Sequence, residues 1–105
     1  MPPAEAVERA AETLRILSDP TRLRLLWALS QGESSVACLA ELSGANPTAV
    51  SQHLAKLRLS GLVRARRQGT YMFYVIVDPG LVKVLETVIA ATGLDHVEDS
   101  KQAAS

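Results

Sequence analysis

Three Asx-Pro dipeptides punctuate this chain of 105 residues: Asp19-Pro20, Asn46-Pro47 and Asp78-Pro79. An Asp or Asn side-chain oxygen caps free N–H groups at a helix start. Proline's fixed φ suits the first helical position, where its missing N–H costs no hydrogen bond. The three pairs therefore predict helices over Thr21–Ser30, Thr48–Leu59 and Gly80–Ala91. Apolar residues at helical spacing (Val7, Ala10, Ala11, Leu14 and Leu17) predict another over Ala4–Leu17. A shorter helix, Val36–Leu42, is capped by Ser34 or Ser35 and closed by Gly44, with Val36, Leu39 and Ala40 facing inward. In the helix after Pro20, the residues expected to face the core are Leu23, Leu26, Trp27 and Leu29.

After Ser60-Gly61 the period changes from helical to extended. Leu62–Arg67 and Thr70–Val77 read as two strands joined through Gln68-Gly69, whose glycine suits a tight hairpin turn. The expected fold is mainly α with a small β-hairpin: five helices and a two-stranded wing. Residues 1–94 form one domain, and the stretch 95–105 is a polar, disordered tail. The last helix is apolar at Leu81, Val82, Val84, Leu85, Val88 and Ile89, more than one face can bury in a single subunit. A partner subunit is the natural cover.

One cysteine, Cys38, precludes an intrachain disulfide, and there is no CxxC pair. No apolar run approaches the ~18 residues of a membrane span, and no signal-peptide pattern opens the chain, so a cytoplasmic location and no membrane partner are expected.

The formal net charge is zero, but it is unevenly spread. Between Glu41 and Asp78 there is no acidic residue, while Lys56, Arg58, Arg64, Arg66 and Arg67 all fall there. The rest of the chain holds six basic and eleven acidic residues. Such segregation is the footprint of a surface for phosphates.

The two helices joined through Ser43-Gly44-Ala45-Asn46 make a helix-turn-helix. Stepping ~100° per residue along the second of them, about 47–59, puts Val50, Leu54 and Leu57 in one narrow buried sector. Thr48, Ser51, Gln52 and Ala55 fall opposite. That face is short, polar and uncharged, where a merely solvated face would carry Glu and Lys. Gln pairs with adenine, and Ser and Thr hydroxyls fit several bases in the major groove of duplex DNA. Lys56 and Arg58 flank it, placed to meet phosphates. Arg64, Arg66 and Arg67, with Gln68 at the turn, would lay the wing (62–77) along the backbone or minor groove. Edge-protecting charge could explain Arg64 alone but not all three arginines.

These stretches together resemble the ArsR/SmtB family of bacterial winged-helix repressors. The resemblance rests on Leu17-Ser18-Asp19-Pro20-Thr21-Arg22-Leu23, Leu39-Ala40-Glu41-Leu42, Val50-Ser51-Gln52-His53-Leu54-Ala55-Lys56-Leu57 and the wing from Gly61 through Tyr74. It runs from about Ala10 to Ala91 in family order and spacing. It implies a homodimer built from the first and last helices, and a palindromic operator read by two recognition helices.

The resemblance also implies metal-sensing positions, and here the chain departs from the family. Ser35 and Ala37 stand where the family's Cys-x-Cys pair lies, with Cys38 one step further on. Asp78 matches the first ligand of the last-helix site, but Gly80, Ala91 and Leu94 occupy the others and have no donor side chain. No cofactor is evident, and both familiar metal sites are expected to be absent. Two remnants are weaker candidates: Cys38 as a redox thiol, and Asp95 with His96 as metal ligands in the tail. Cys38 is otherwise a small buried helix residue, and a frayed tail holds no fixed ligand geometry. His53 reads as a packing or hydrogen-bonding residue.

Three other readings compete. An enzyme would need a nucleophile–base pair, a carboxylate dyad or a phosphate loop, and none is visible. A dimeric interaction module without DNA binding would favour an acidic recognition face or an arginine-poor wing. A sensor of a redox signal or small molecule would act through Cys38 or the dimer interface.

Overall fold

The computed structural model describes residues 1–92. Asp95, His96 and the expected tail over 95–105 lie outside the described residues. The order of elements is α1 (Ala4–Leu17), α2 (Pro20–Ser30), β1 (Ser34–Ser35), α3 (Val36–Ser43), α4 (Pro47–Leu59), β2 (Val63–Gln68), β3 (Tyr71–Ile76) and α5 (Pro79–Ala91).

Local chemistry explains where the helices begin. The Asp19, Ser35, Asn46 and Asp78 side chains accept hydrogen bonds from the backbone N–H groups of Arg22, Cys38, Ala49 and Gly80. Pro20, Pro47 and Pro79 each open their helix, one residue earlier than the periodicity alone suggests. Arg22 then ties the α1–α2 corner, because its Nε donates to the Ile16 carbonyl at 2.8 Å.

The core is aliphatic. Ile16, Leu17, Leu25, Leu26, Leu29, Leu39, Val50, Leu54, Leu57, Val63 and Leu85 are buried together. One expectation for α2 fails: Trp27 is 40% exposed, and Leu25 is fully buried in its stead. At ~100° per residue, Leu25, Leu26 and Leu29 share one sector and Trp27 projects from the other side. In α1, burial is confined to Ile16 and Leu17.

The sheet also differs from the expected two-stranded wing. It has three antiparallel strands in the order β1-β3-β2. The residues just before α3 pair with the wing, Ser34 opposite Tyr74 and Ser35 opposite Phe73. A two-residue strand has no periodicity of its own, so only its partner reveals it. The hairpin turn is Gly69-Thr70, not Gln68-Gly69, because Gln68 pairs with Tyr71. Gly69 takes φ +63° and Thr70 is not among the described residues with a positive φ, the pattern of a type II′ turn with glycine first.

Candidate nucleic-acid interface

The α3–α4 unit is set by two backbone devices. Gly44 adopts φ +76° and donates its N–H to the Ala40 carbonyl, ending α3 in a left-handed cap. The Asn46 carbonyl oxygen of the side chain then accepts from Ala49 N at 2.8 Å and starts α4. At the other end of α4, Gly61 (φ +78°) donates to the Arg58 carbonyl and Leu62 to the Leu57 carbonyl, both at 3.0 Å. This paired 5→2 and 6→1 arrangement is a Schellman motif, and it turns the chain directly from α4 into the wing. Leu62 also accepts from Val77 N at 3.1 Å, closing the base of the hairpin.

Val50, Leu54 and Leu57 anchor α4, each without solvent exposure. Thr48, Ser51, Gln52 and Ala55 are all exposed. Leu59 extends the same outward sector by one further turn and is 84% exposed, an apolar neighbour that the polar pattern did not suggest. Lys56 and Arg58 are exposed at the flanks in the last turn. Lys56 lies on the flank nearer α1. The Glu12 carboxyl sits below its ordinary range chiefly through the Arg15 hydrogen bond and charge, and Lys56 adds a smaller pull. His53 is half-buried on that flank, its Nδ1 4.0 Å from Asp19 Oδ2.

In the wing, strand register divides the side chains by alternation. Val63, Ala65 and Arg67 share a face with Ile76, Tyr74 and Met72, and Arg64, Arg66 and Gln68 share the other with Val75, Phe73 and Tyr71. Arg64, Arg67 and Gln68 are exposed. Among the described residues, Lys56, Arg58, Arg64 and Arg67 have no carboxylate within 4.0 Å.

Arg66 is different and departs from the expectation of an uncommitted wing cation. Its Nε donates to Glu33 Oε2 at 2.9 Å, its Nη2 donates to Glu33 Oε1, and its Nη1 donates to Gln68 Oε1 at 3.1 Å. Its guanidinium carbon stands 5.4 Å from the Phe73 ring centroid. The hydrogen bond from Arg66 holds the Glu33 carboxyl below its ordinary range, and Glu33 in turn raises Arg66. Glu33 lies outside the acid-free window in sequence but comes into the wing by the β1–β3 pairing. Tyr71, 66% exposed beside the turn, is a second wing residue that the basic pattern did not single out.

Cys38 is exposed, contrary to the buried residue expected, with its Sγ 4.0 Å from Ser34 Oγ. Ser35 Oγ is engaged in capping α3, and an Asp78 oxygen caps α5 by accepting from Gly80 N at 2.8 Å. Among the described residues, no three His, Cys, Asp or Glu side chains are grouped so as to hold a metal ion.

Residues 19–65 match the family described as bacterial regulatory protein, arsR family. The chain is similar to the HTH-type transcriptional regulator KmtR of Mycobacterium tuberculosis. The two are 50% identical over 72 residues, which span 69% of this chain but only 55% of that protein. It is also similar to the uncharacterized HTH-type transcriptional regulator MJ1325 of Methanocaldococcus jannaschii, at 40% identity over 86 residues. These cover 80% of this chain and 96% of the relative. Among solved structures it resembles the homodimeric winged helix-turn-helix DNA-binding domain of Mb0332 from Mycobacterium bovis. That match has a TM-score of 0.78 at 32% identity, over 91% of this chain and 88% of that one.

Proposed function

The chain belongs to the arsR family of bacterial regulatory proteins, and on that premise we propose how it works as a transcriptional regulator on duplex DNA. It is a winged helix-turn-helix regulator, not an enzyme, and acts as a homodimeric repressor. In our reading α4 enters the major groove and presents Thr48, Ser51 and Gln52 to base edges. Lys56, Arg58, Arg64, Arg67 and Gln68 meet phosphates and sugars on either side and set the register. The observation that carries this reading is the exposed, uncharged face of α4 beside exposed arginines that have no carboxylate within 4.0 Å among the described residues.

The dimer forms through α1 and α5. Val7 and Leu14 on α1 and Val84 and Val88 on α5 are 42–59% exposed in the single chain, a surplus of apolar surface for a second copy to cover. A two-fold dimer presents two α4 helices to successive major grooves, so the operator is palindromic. We place the protein in the cytoplasm with its DNA, and no described helix is long and apolar enough to cross a membrane.

Fluorescence anisotropy with duplex from upstream of the protein's own gene, set against random duplex over a range of salt, tests this reading. The expected result is tighter binding to the upstream duplex and a linear fall of log K with log salt. Equal, salt-insensitive binding, or none, refutes it.

A further inference from the structure

We propose that Glu33 sets the phosphate affinity of the DNA interface, by withholding Arg66 from phosphate. This rests on the DNA-binding reading above and adds a residue that lies outside both the recognition helix and the wing strands.

The geometry carries the inference. The register sets Arg66 of β2 opposite Phe73 of β3, and Phe73 opposite Ser35 of β1. Glu33, just before β1, therefore reaches Arg66 across the central strand over the Phe73 ring. All three guanidinium nitrogens of Arg66 are engaged: two by the Glu33 carboxylate and one by Gln68. A planar guanidinium fork pairs with a carboxylate or a phosphate in the same bidentate manner. Glu33 thus occupies the edge that a DNA phosphate would use. Phe73 below the guanidinium fixes its plane. Arg64 and Arg67 have no carboxylate within 4.0 Å among the described residues, so they carry the wing's phosphate contacts.

The consequence is a matter of affinity. Phosphate neutralisation supplies essentially all of non-specific binding. Withholding one wing cation lowers binding to every duplex and leaves the base-reading face of α4 untouched. The rival role for the same pair is a staple that merely joins β1 to β2. Exposed ion pairs contribute little to stability, which makes a purely structural purpose a weak one.

The test is a double-mutant cycle on full-length protein: wild type, Glu33→Gln, Arg66→Gln and the double variant. Each is measured for binding to random duplex and to the upstream duplex over a salt series, and for thermal unfolding. Glu33→Gln is expected to bind random duplex several-fold tighter and to steepen the salt slope by about 0.9, one extra phosphate. Binding to the upstream duplex tightens by a similar factor, so the preference between the two stays near that of wild type, as does the melting temperature. In the Arg66→Gln background the Glu33→Gln effect disappears. The proposal is overturned if Glu33→Gln leaves the slope unchanged or weakens binding. It is also overturned if its effect persists without Arg66, which would make it Glu33's own repulsion. Wild-type protein that binds no duplex refutes the DNA-binding reading itself, a result distinct from any of these.

Discussion

Asp19 Oδ2 lies 4.0 Å from His53 Nδ1, so the cap of α2 also faces the flank of α4. The same carboxylate accepts Arg22 N at 2.9 Å, while the Arg22 side chain reaches the Ile16 carbonyl. One short motif, Asp19-Pro20-Thr21-Arg22, thereby sets the α1–α2 corner and touches the helix proposed to read DNA.

That cap predicts a pH dependence of stability. Asp19 titrates below its ordinary value of 3.8, first through the hydrogen bond from Arg22 N, with the Arg22 and His53 charges adding to it. A lowered folded-state value means the stabilisation is fully present above the unfolded value and is lost as pH falls through the folded one. Asn caps about as well as Asp but does not titrate. In urea unfolding, wild type is expected to exceed Asp19→Asn at pH 7, and the gap should close below pH 3.8. A gap that stays constant contradicts the assignment. Asp19→Ala removes the cap altogether and should cost about 1 kcal/mol at pH 7.

Gln52 is expected to read a base. Gln52→Ala should lower the preference for the upstream duplex over random duplex by about 1–3 kcal/mol and leave random-duplex binding nearly unchanged. Paired anisotropy titrations decide it, and an unaltered preference would move the reading face elsewhere on α4.

Arg67 is expected to meet a phosphate. Arg67→Ala should weaken binding to all duplexes by a similar factor and reduce the salt slope by about 0.9. A loss confined to the upstream duplex would instead make Arg67 a base reader.

The exposed stripe of α5 is expected to hold the dimer. Val88, 46% exposed in the single chain, becomes a buried charge in the dimer when replaced by Glu. Val88→Glu should sediment as a folded monomer and lose most of its operator affinity while retaining weak binding to a half-site. A variant that remains dimeric places the interface off Val88.

Leu54 is expected to anchor the recognition helix. It has no solvent exposure, and Leu54→Ala should destabilise the fold by about 2–5 kcal/mol in denaturant unfolding. A loss below about 1 kcal/mol would mean that the helix is held mainly from its ends, by Asn46 and the Gly61 turn.

The five helices and the outward face of α4 were legible in the chain because their determinants are local. A cap acts within three residues, and helical periodicity repeats within four. Trp27 misled because its hydrophobicity outweighed its angular position, although the same ~100° arithmetic that placed Val50, Leu54 and Leu57 would have turned it outward. Cys38 misled in a similar way: the type is usually buried, but here it sits on the open side of a short helix whose inner contact is Leu39.

The charge pattern marks the boundary between the two kinds of information. By itself the sequence determined that an acid-free stretch carries Lys56, Arg58, Arg64, Arg66 and Arg67, and that these lie on a recognition helix and a wing. Only the tertiary structure decided which of those cations has a carboxylate partner. Strand pairing brings Glu33 onto Arg66 across 33 positions of chain, through a two-residue strand with no signal of its own. Charges interact through space, and a run without acids along the chain is not a region without acids once a distant segment folds onto it.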